Sequence, residues 1–416
     1  MIGSSRCIVC QIGAREHYAV ARTLHRAGLL AELITDVWVP PYSAARLVPG
    51  RTGERLRGRY HSDLREARVT HFTPASVGRE VMKVAAKTRS QWDAIISQNQ
   101  WFQAEAARHL AKSGPLVGIE EKAIVLAYSY AARDILVAAR DAGASTVLCQ
   151  IDGGEADEQL VETLWSSRLK PMPDKAPRAY WDAWREECRI ADRIFVNSNW
   201  SRHLLTKAGV DYRKLAVIPV IYESEGTHPL APHQYPEAFS AARPLKVLFL
   251  GALTMRKGVL EALEAARVLA EQPVHFVFTG ANSEGHGALL GQQPNITWHE
   301  HVPRDRVSEF YRDADVFLFP THSDGFGMTQ IEALASGLPV ISSRNCAAIV
   351  EHGRTGLLLE MVSVDAVVRA VRFCLDHPGK LAGMSVAALA AGAAFAHQSA
   401  TTLLDALRGF VDSERQ

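Results

Sequence analysis

Pro320-Thr321-His322-Ser323-Asp324-Gly325-Phe326-Gly327-Met328-Thr329-Gln330-Ile331-Glu332 lies between an apolar run, Asp315 to Phe319, and a helix-forming run that continues through Ala333 and Leu334 to Gly337. The first run reads as a strand. The quoted stretch is therefore a strand-to-helix turn with an acid, a Gly-Phe-Gly corner and a second acid eight residues after the first. Glycines let a backbone approach a ligand closely, and the free N–H groups of a helix's first turn attract anions. Carboxylates at both ends add acceptors for sugar hydroxyls. A ligand with both phosphate and sugar fits such a turn.

The same alternation of short strands and helices extends outward on both sides. Lys246–Leu250, Val274–Phe278, Asn295–Trp298, Leu338–Ser342 and Gly356–Leu359 read as further strands, with a helix over Lys257–Ala270. In the first half, strands are expected at Arg6–Ile12, Leu30–Thr35, Ala94–Ser97, Leu116–Ile119, Thr146–Ile151, Arg193–Asn197 and Leu215–Pro219. Helices are expected there at Arg15–Ala27, Trp101–Lys112, Tyr128–Asp141 and Trp200–Ala208. This pattern predicts an α/β fold with parallel sheets covered on both faces. It lapses from Glu223 to Pro244, where four prolines suit a linker. The expected units are 1–222, a linker 223–244, a second unit 245–385 and a C-terminal helix 386–416, for which a return to the first unit is one course. Gly392 marks a break within the Ala-rich helical run Leu381–Phe410. Two such units predict a cleft with ligands at the carboxyl ends of the strands.

A second loop answers the first. Gly251-Ala252-Leu253-Thr254-Met255-Arg256-Lys257-Gly258 follows the strand Lys246–Leu250 and opens a helix. Arg256 offers a fork matched to phosphate oxygens and Lys257 a compact point charge. Alone they could be solvated residues at a turn; paired with Asp324 and Glu332 they read as a grip on a diphosphate.

Composition bounds the reading. The chain has 416 residues, 47% of them hydrophobic, enough for large cores in two domains. Lys and Arg number 46 against 45 Asp and Glu, which gives no bulk electrostatic case for nucleic acid. Six scattered cysteines, including Cys7 and Cys10 within an apolar strand pattern, read as buried thiols in a reducing cytoplasm. No basic segment followed by an apolar run opens the chain, and no run approaches the ~20 apolar residues of a membrane span. A cytoplasmic protein is expected. Between Arg46 and Arg89, however, Lys and Arg exceed Asp and Glu by seven, which is either a solvated face or a peripheral contact with anionic headgroups on the inner face of the membrane.

The G-x-L-x-x-x-K-G loop, followed by P-x-x-S-x-G-F-G-x-x-x-x-E-A-x-A-x-G-x-P-V, resembles the retaining "group 1" glycosyltransferases of the two-domain GT-B fold, with two Rossmann-like sheets facing a cleft. Their E-x7-E signature stands here as D-x7-E. The resemblance is strongest from Lys246 to Leu359 and looser in the first half, through Gly13 and the run Glu187 to Ser198. It implies a nucleotide-diphosphate-sugar donor and transfer to an acceptor hydroxyl, lipid-linked or on a growing glycan, without a cofactor or metal.

Residue by residue, the resemblance places Lys257 and Arg256 on the donor diphosphate, Asp324 on the donor sugar and Glu332 on the ribose. Gly325, Phe326, Gly327, Met328 and Thr329 form the loop that meets sugar and phosphate, and Gly251, Thr279, Gly280 and Val302 complete the donor contacts. Gly13 approaches the phosphates from the opposite domain.

Departures from the family pattern matter. Asp324 is one methylene shorter than the usual glutamate, and Ala252 stands where many members place an arginine. Where many relatives carry His-Asp, this chain reads Cys149-Gln150-Ile151-Asp152. Asp152 could orient the acceptor hydroxyl, take its proton, or cap the following helix. Asp313-Ala314-Asp315 has metal-binding D-x-D spacing but joins a helix to a strand, which favours a structural role, and His299 and His301 lack companion ligands. Tyr180, Trp181 and Trp184 have helical spacing and read as packing. Alternatives to a transferase are a GT-B nucleotide-sugar epimerase and a non-catalytic nucleotide-sugar-binding subunit. A Rossmann oxidoreductase is disfavoured because no G-x-G-x-x-G follows the first strand.

Overall fold

A computed structural model of the chain describes residues 6–76, 90–112, 123–166, 174–223, 231–282, 284–285, 290 and 293–414. Two all-parallel sheets organise it. The first contains β1 (Cys7–Gln11), β2 (Leu30–Thr35), β3 (Val69–His71), β4 (Ile124–Tyr128), β5 (Ser145–Gln150), β6 (Arg193–Val196) and β7 (Leu215–Val217), in the order β3-β2-β1-β4-β5-β6-β7. The second contains β8 (Leu245–Leu250), β9 (Val274–Thr279), β10 (Ile296–His299), β11 (Val316–Phe319), β12 (Val340–Ser342) and β13 (Gly356–Leu358), in the order β10-β9-β8-β11-β12-β13. β1, β4 and β5 are buried at every position, as strands covered by helices on both faces must be. Strand order reverses between β1 and β4 in one sheet and between β8 and β11 in the other, so each sheet opens a crevice there.

Helices fill the connections. They are α1 (Ala19–Arg26), α2 (Gly50–Arg57), α3 (Gln91–Lys112), α4 (Arg133–Asp141), α5 (Glu155–Ser166), α6 (Arg178–Ile190), α7 (Asn199–Lys207), α8 (Val259–Val268), α9 (Val307–Asp313), α10 (Met328–Ala335), α11 (Val364–Asp376) and α12 (Pro378–Glu414).

Several expectations are corrected. Ala94–Ser97 is not a strand but part of α3, because a short apolar run does not distinguish the two periods and the flanking turns are helical. Leu116–Ile119 lies outside the described residues. Arg15–Ala27 does not start as a helix: Glu16, His17 and Tyr18 take left-handed φ values of 48°, 50° and 61°, and α1 begins at Ala19. Gly392 does not break the last helix. The α12 helix runs unbroken through it and across the expected 385/386 boundary, and a Cβ on Gly392 would lie 2.5 Å from Ala335 Cα.

The described part of the expected linker is packed. The His233 amide donates to Ser385 Oγ at 2.8 Å, Tyr235 Oη donates to the Asp315 carbonyl at 2.9 Å, and Arg243 lies over the Phe239 ring. Prolines suppress helix and strand there but leave the aromatic side chains free to bury.

One amendment concerns membrane spans: Pro378–Phe410 is long and apolar enough, by length and composition, to cross a membrane. Much of that apolarity is alanine. Among its larger side chains, Leu381 and Met384 join the core of the second sheet and Leu403, Leu407 and Phe410 that of the first, while Val386 is exposed.

Candidate active site

The loops after β8 and β11 meet at the switch point of the second sheet. Residues Met255–Lys257 form a short 3-10 turn that ends on Gly258 at φ 75°. A Cβ on Gly258 would lie 2.0 Å from the Pro320 carbonyl oxygen, so only glycine lets the two loops touch. The Arg256 carbonyl accepts the His322 amide at 2.8 Å, and Arg256 Nη1 donates to the Ser323 carbonyl at 2.6 Å. Lys257 Nζ lies over the Phe319 ring and is in contact with the Asp324 carboxylate. The structure thus brings Arg256, Lys257 and Asp324 together.

Lys257 is largely buried. Burial first, and then the adjacent Arg256 guanidinium, pull its ammonium down to about 7, while Asp157 opposes that fall. Its charge therefore depends on the anions around it, and a diphosphate would be such an anion.

Glu332 sits further along the same turn-helix unit, on α10. Its Oε2 accepts the Tyr311 hydroxyl at 2.8 Å. Burial, followed by this carboxylate, raises the Tyr311 hydroxyl well above the ordinary tyrosine range, so Tyr311 remains a donor. Gly327 at φ 85° precedes α10 and leaves the amides of Met328 and Thr329 at the helix N-terminus. Phe326 is buried against Phe395 of α12. Across the sheet, the Gly251 amide donates to the Thr279 carbonyl, and Gly280 packs its backbone directly on Gly251. Thr279 Oγ1 is buried and, among the described residues, without a hydrogen-bond partner. Val302 follows β10 and is half-buried between exposed neighbours.

The first domain contributes the opposite wall. A Cβ on Gly325 would lie 2.3 Å from the Ile151 carbonyl oxygen, which places the end of β5 directly on the loop after β11. Asp152 follows. Its Oδ1 accepts the Gly154 amide at 3.0 Å and Gln150 Nε2 at 3.0 Å, and it also takes the Tyr130 hydroxyl. All three donors converge on Oδ1, so among the described residues Oδ2 has no donor. Asp152 therefore holds the turn into α5 and keeps one oxygen to spare. Burial raises its carboxyl, the Tyr130 bond and Arg256 opposing. Gly13 lies after β1 at φ 77°, its amide on Asp36 Oδ1 at 2.9 Å, with Arg59 on the same carboxylate. Among the described residues, none of its hydrogen bonds reaches the loops of the second sheet.

Three groups escape sequence reasoning. Tyr130, at φ 75°, delivers its hydroxyl to Asp152, and Glu187 secures that conformation by accepting the amides of Tyr130 at 2.7 Å and Ala132 at 2.8 Å. Glu16, on the left-handed turn after Gly13, lines a cavity with Tyr128, Cys149, Gln150 and Asn197; burial pushes its carboxyl up to about 7. No spacing rule links these positions, because sheet topology alone makes them neighbours.

Other candidates take structural places. Asp315 is buried, ion-paired to Arg243 at 2.6 Å and accepting the Lys246 amide at 2.8 Å. The His299 ring packs edge-on against Phe310 at 5.0 Å. Trp184 is fully buried and donates to Gln150 Oε1 at 3.0 Å, while Trp181 donates to Glu158 at 2.7 Å.

Residues 244–377 match the family described as "Glycosyl transferases group 1". The capsular polysaccharide biosynthesis glycosyltransferase CapM of Staphylococcus aureus is 32% identical over 133 residues, 30% of this chain and 34% of that protein. A D-inositol 3-phosphate glycosyltransferase of Acidothermus cellulolyticus is 29% identical over 216 residues, 45% of this chain and 46% of that protein. These alignments thus span less than half of each relative's own length.

Fold likeness extends much further. Sucrose-phosphate synthase from Thermosynechococcus elongatus superposes with a TM-score of 0.67 at 15% identity, covering 98% of this chain and 100% of that one. HepE of Anabaena, solved in complex with UDP and glucose, gives 0.60 at 15% identity, with 96% and 100% covered. The second-sheet region of the chain thus matches the group 1 glycosyltransferase family, and nearly the whole chain shares the two-sheet GT-B fold.

Proposed function

We propose that the protein moves a sugar from a nucleotide-diphosphate sugar to an acceptor hydroxyl, with retention of anomeric configuration and without a metal, in polysaccharide or glycoconjugate assembly. The observation that carries this reading is the junction of Lys257 and Asp324, with Arg256 beside them and Asp152 on the facing wall.

Departure of a nucleoside diphosphate builds negative charge on its phosphates. Arg256 and the amides at the start of α10 would meet that charge as it develops, and Lys257 would join them by exchanging Asp324 for phosphate. Contacts that strengthen as charge develops raise the rate, whereas contacts equal in both states only tighten binding. Asp324, once Lys257 turns to phosphate, is free to accept donor-sugar hydroxyls, and Glu332 takes the ribose. The spare oxygen of Asp152 suits an acceptor hydroxyl approaching from the first domain. Metal independence draws support from the cation pair and from Asp315, whose carboxylate already serves Arg243 and the Lys246 amide.

Transfer assays with a panel of nucleotide-diphosphate sugars test the reading. Lys257→Ala and Glu332→Ala should each cost about 100-fold or more in kcat/KM. Unchanged turnover in both variants would refute the assignment.

A further inference from the structure

The chain between β2 and β3 makes an excursion that the transfer reading does not use. It carries Tyr42 at 91% exposure and Leu47 at 84%, the two most exposed large hydrophobic residues among those described. Single exposed apolar residues are ordinary, but two within six positions of one excursion call for a cause. Residues 37–58 also hold four arginines, Arg46, Arg51, Arg55 and Arg57, against one acid, Glu54. The described backbone here is bonded in place. Ser43 accepts the Ala45 amide from its own side chain, the Val39 amide donates to the Arg59 carbonyl at 2.9 Å, and Arg57 Nη1 reaches the carbonyls of Arg46 and Val48. Tyr42 and Leu47 are therefore presented by bonded turns.

The excursion is rooted at the edge of the cleft. It leaves β2 through Asp36 and returns at Arg59, and these two residues pair with each other beside Gly13. Whatever holds Tyr42 and Leu47 also holds the mouth of the first domain.

We propose that residues 40–57 dock the protein on an anionic lipid surface. An amphipathic tyrosine and a leucine enter the interface, and the surrounding arginines meet headgroup phosphates with their charged tips while their stems lie along the apolar boundary. Charge complementarity selects this occupant: a second copy of the chain would set like charges against each other at the same patch. Docking would bring the cleft to an acceptor carried by lipid. The surface stands apart from the donor site, so its failure and that of the transfer reading are separable.

The test is flotation of the whole protein with phosphatidylcholine vesicles, with and without phosphatidylglycerol. The wild type should partition onto the anionic vesicles and not onto the neutral ones. Tyr42→Ser with Leu47→Ser, and separately Arg46→Gln with Arg55→Gln, should each lower that partition about tenfold or more. Both variants should keep wild-type melting behaviour and wild-type affinity for the donor nucleotide. Equal binding to both vesicle types, or anionic binding retained in both variants, would overturn the proposal; the second outcome would move attention to Pro378–Phe410. Self-association that these substitutions abolish, without vesicle binding by the wild type, would make the patch a contact between copies and equally overturn it.

Discussion

Lys257 occupies a position in which its charge is conditional. It is buried beside an arginine and a phenylalanine ring, and its ammonium is pulled down to about 7 with Asp324 as its contact. On the proposed function, a nucleoside diphosphate would bind the protonated form. Affinity should therefore be full below about pH 7 and fall as pH rises through that value, by up to tenfold per unit until the raised value in the complex is reached. Calorimetry in buffers of differing ionisation heat should register proton uptake on binding, and Lys257→Arg, with its fixed charge, should flatten the profile whatever it does to affinity. Asp324, already in contact with the lysine, would compete with that anion for it. Asp324→Asn should leave affinity for the free diphosphate equal or several-fold tighter while transfer collapses; a loss of diphosphate affinity as large as that of Lys257→Ala would contradict the exchange. At this scale the sequence was informative where chemistry follows spacing, as in Arg256–Lys257 and the pair Asp324 and Glu332. It was silent on Tyr130, Glu187 and Tyr311, whose partners lie 22, 57 and 21 positions away and are brought close only by the sheet.

Elements from the first domain grip the loop after β11 directly. Trp200 Nε1 on α7 donates to Ser323 Oγ at 2.8 Å, Ser323 Oγ in turn bonds Asp157 on α5, and Ser201 Oγ reaches the Gly325 carbonyl at 3.3 Å. Ser323 is fully buried and directly precedes Asp324. Trp200→Phe keeps the ring and deletes one hydrogen bond, worth about 1 kcal/mol. It should lower kcat severalfold while the dissociation constant of the nucleotide diphosphate stays constant, because the contact acts through the sugar end of the loop. Steady-state kinetics set beside calorimetry separates the two. α12 acts on the same loop from behind. Gly392→Leu would drive a side chain into the Ala335 backbone on α10, and overpacking of this kind costs about 1–3 kcal/mol. A lowered melting temperature together with weaker donor binding is expected. Gly392 also shows why element boundaries were only partly legible: glycine weakens a helix by propensity, yet here it is what permits two helices to touch. Propensity sees the residue and not its neighbour.

Both sheets reverse their strand order once, and apart from the Val302 loop after β10 the loops assigned to the site follow one of the strands bordering a reversal or its immediate neighbour. Gly13 follows β1, Tyr130 follows β4 and Asp152 follows β5; Gly251 to Gly258 follows β8, Gly280 follows β9 and Pro320 to Gly327 follows β11. Alternating strands and helices were enough to anticipate two parallel sheets with a cleft, because that pattern leaves few other ways to bury both faces of each strand. How the halves are tied was less legible, since it depends on one helix serving two cores. Leu381 and Met384 of α12 belong to the core of the second sheet, while Leu403, Leu407 and Phe410 belong to that of the first, and Ser399 Oγ meets the Tyr222 amide at 3.4 Å where the chain leaves the first domain. The last turns of α12 should therefore stabilise a sheet whose strands lie almost two hundred residues or more away in sequence. Leu407 is 3% exposed, and truncating a buried leucine to alanine costs about 2–5 kcal/mol. Leu407→Ala should accelerate amide exchange in β1 and β4 and leave β8 and β11 protected, as read by hydrogen exchange with mass spectrometry. Equal acceleration in both sheets would show that they unfold as one unit. Acceleration confined to β8 and β11 would mean that the end of α12 does not support the first core at all.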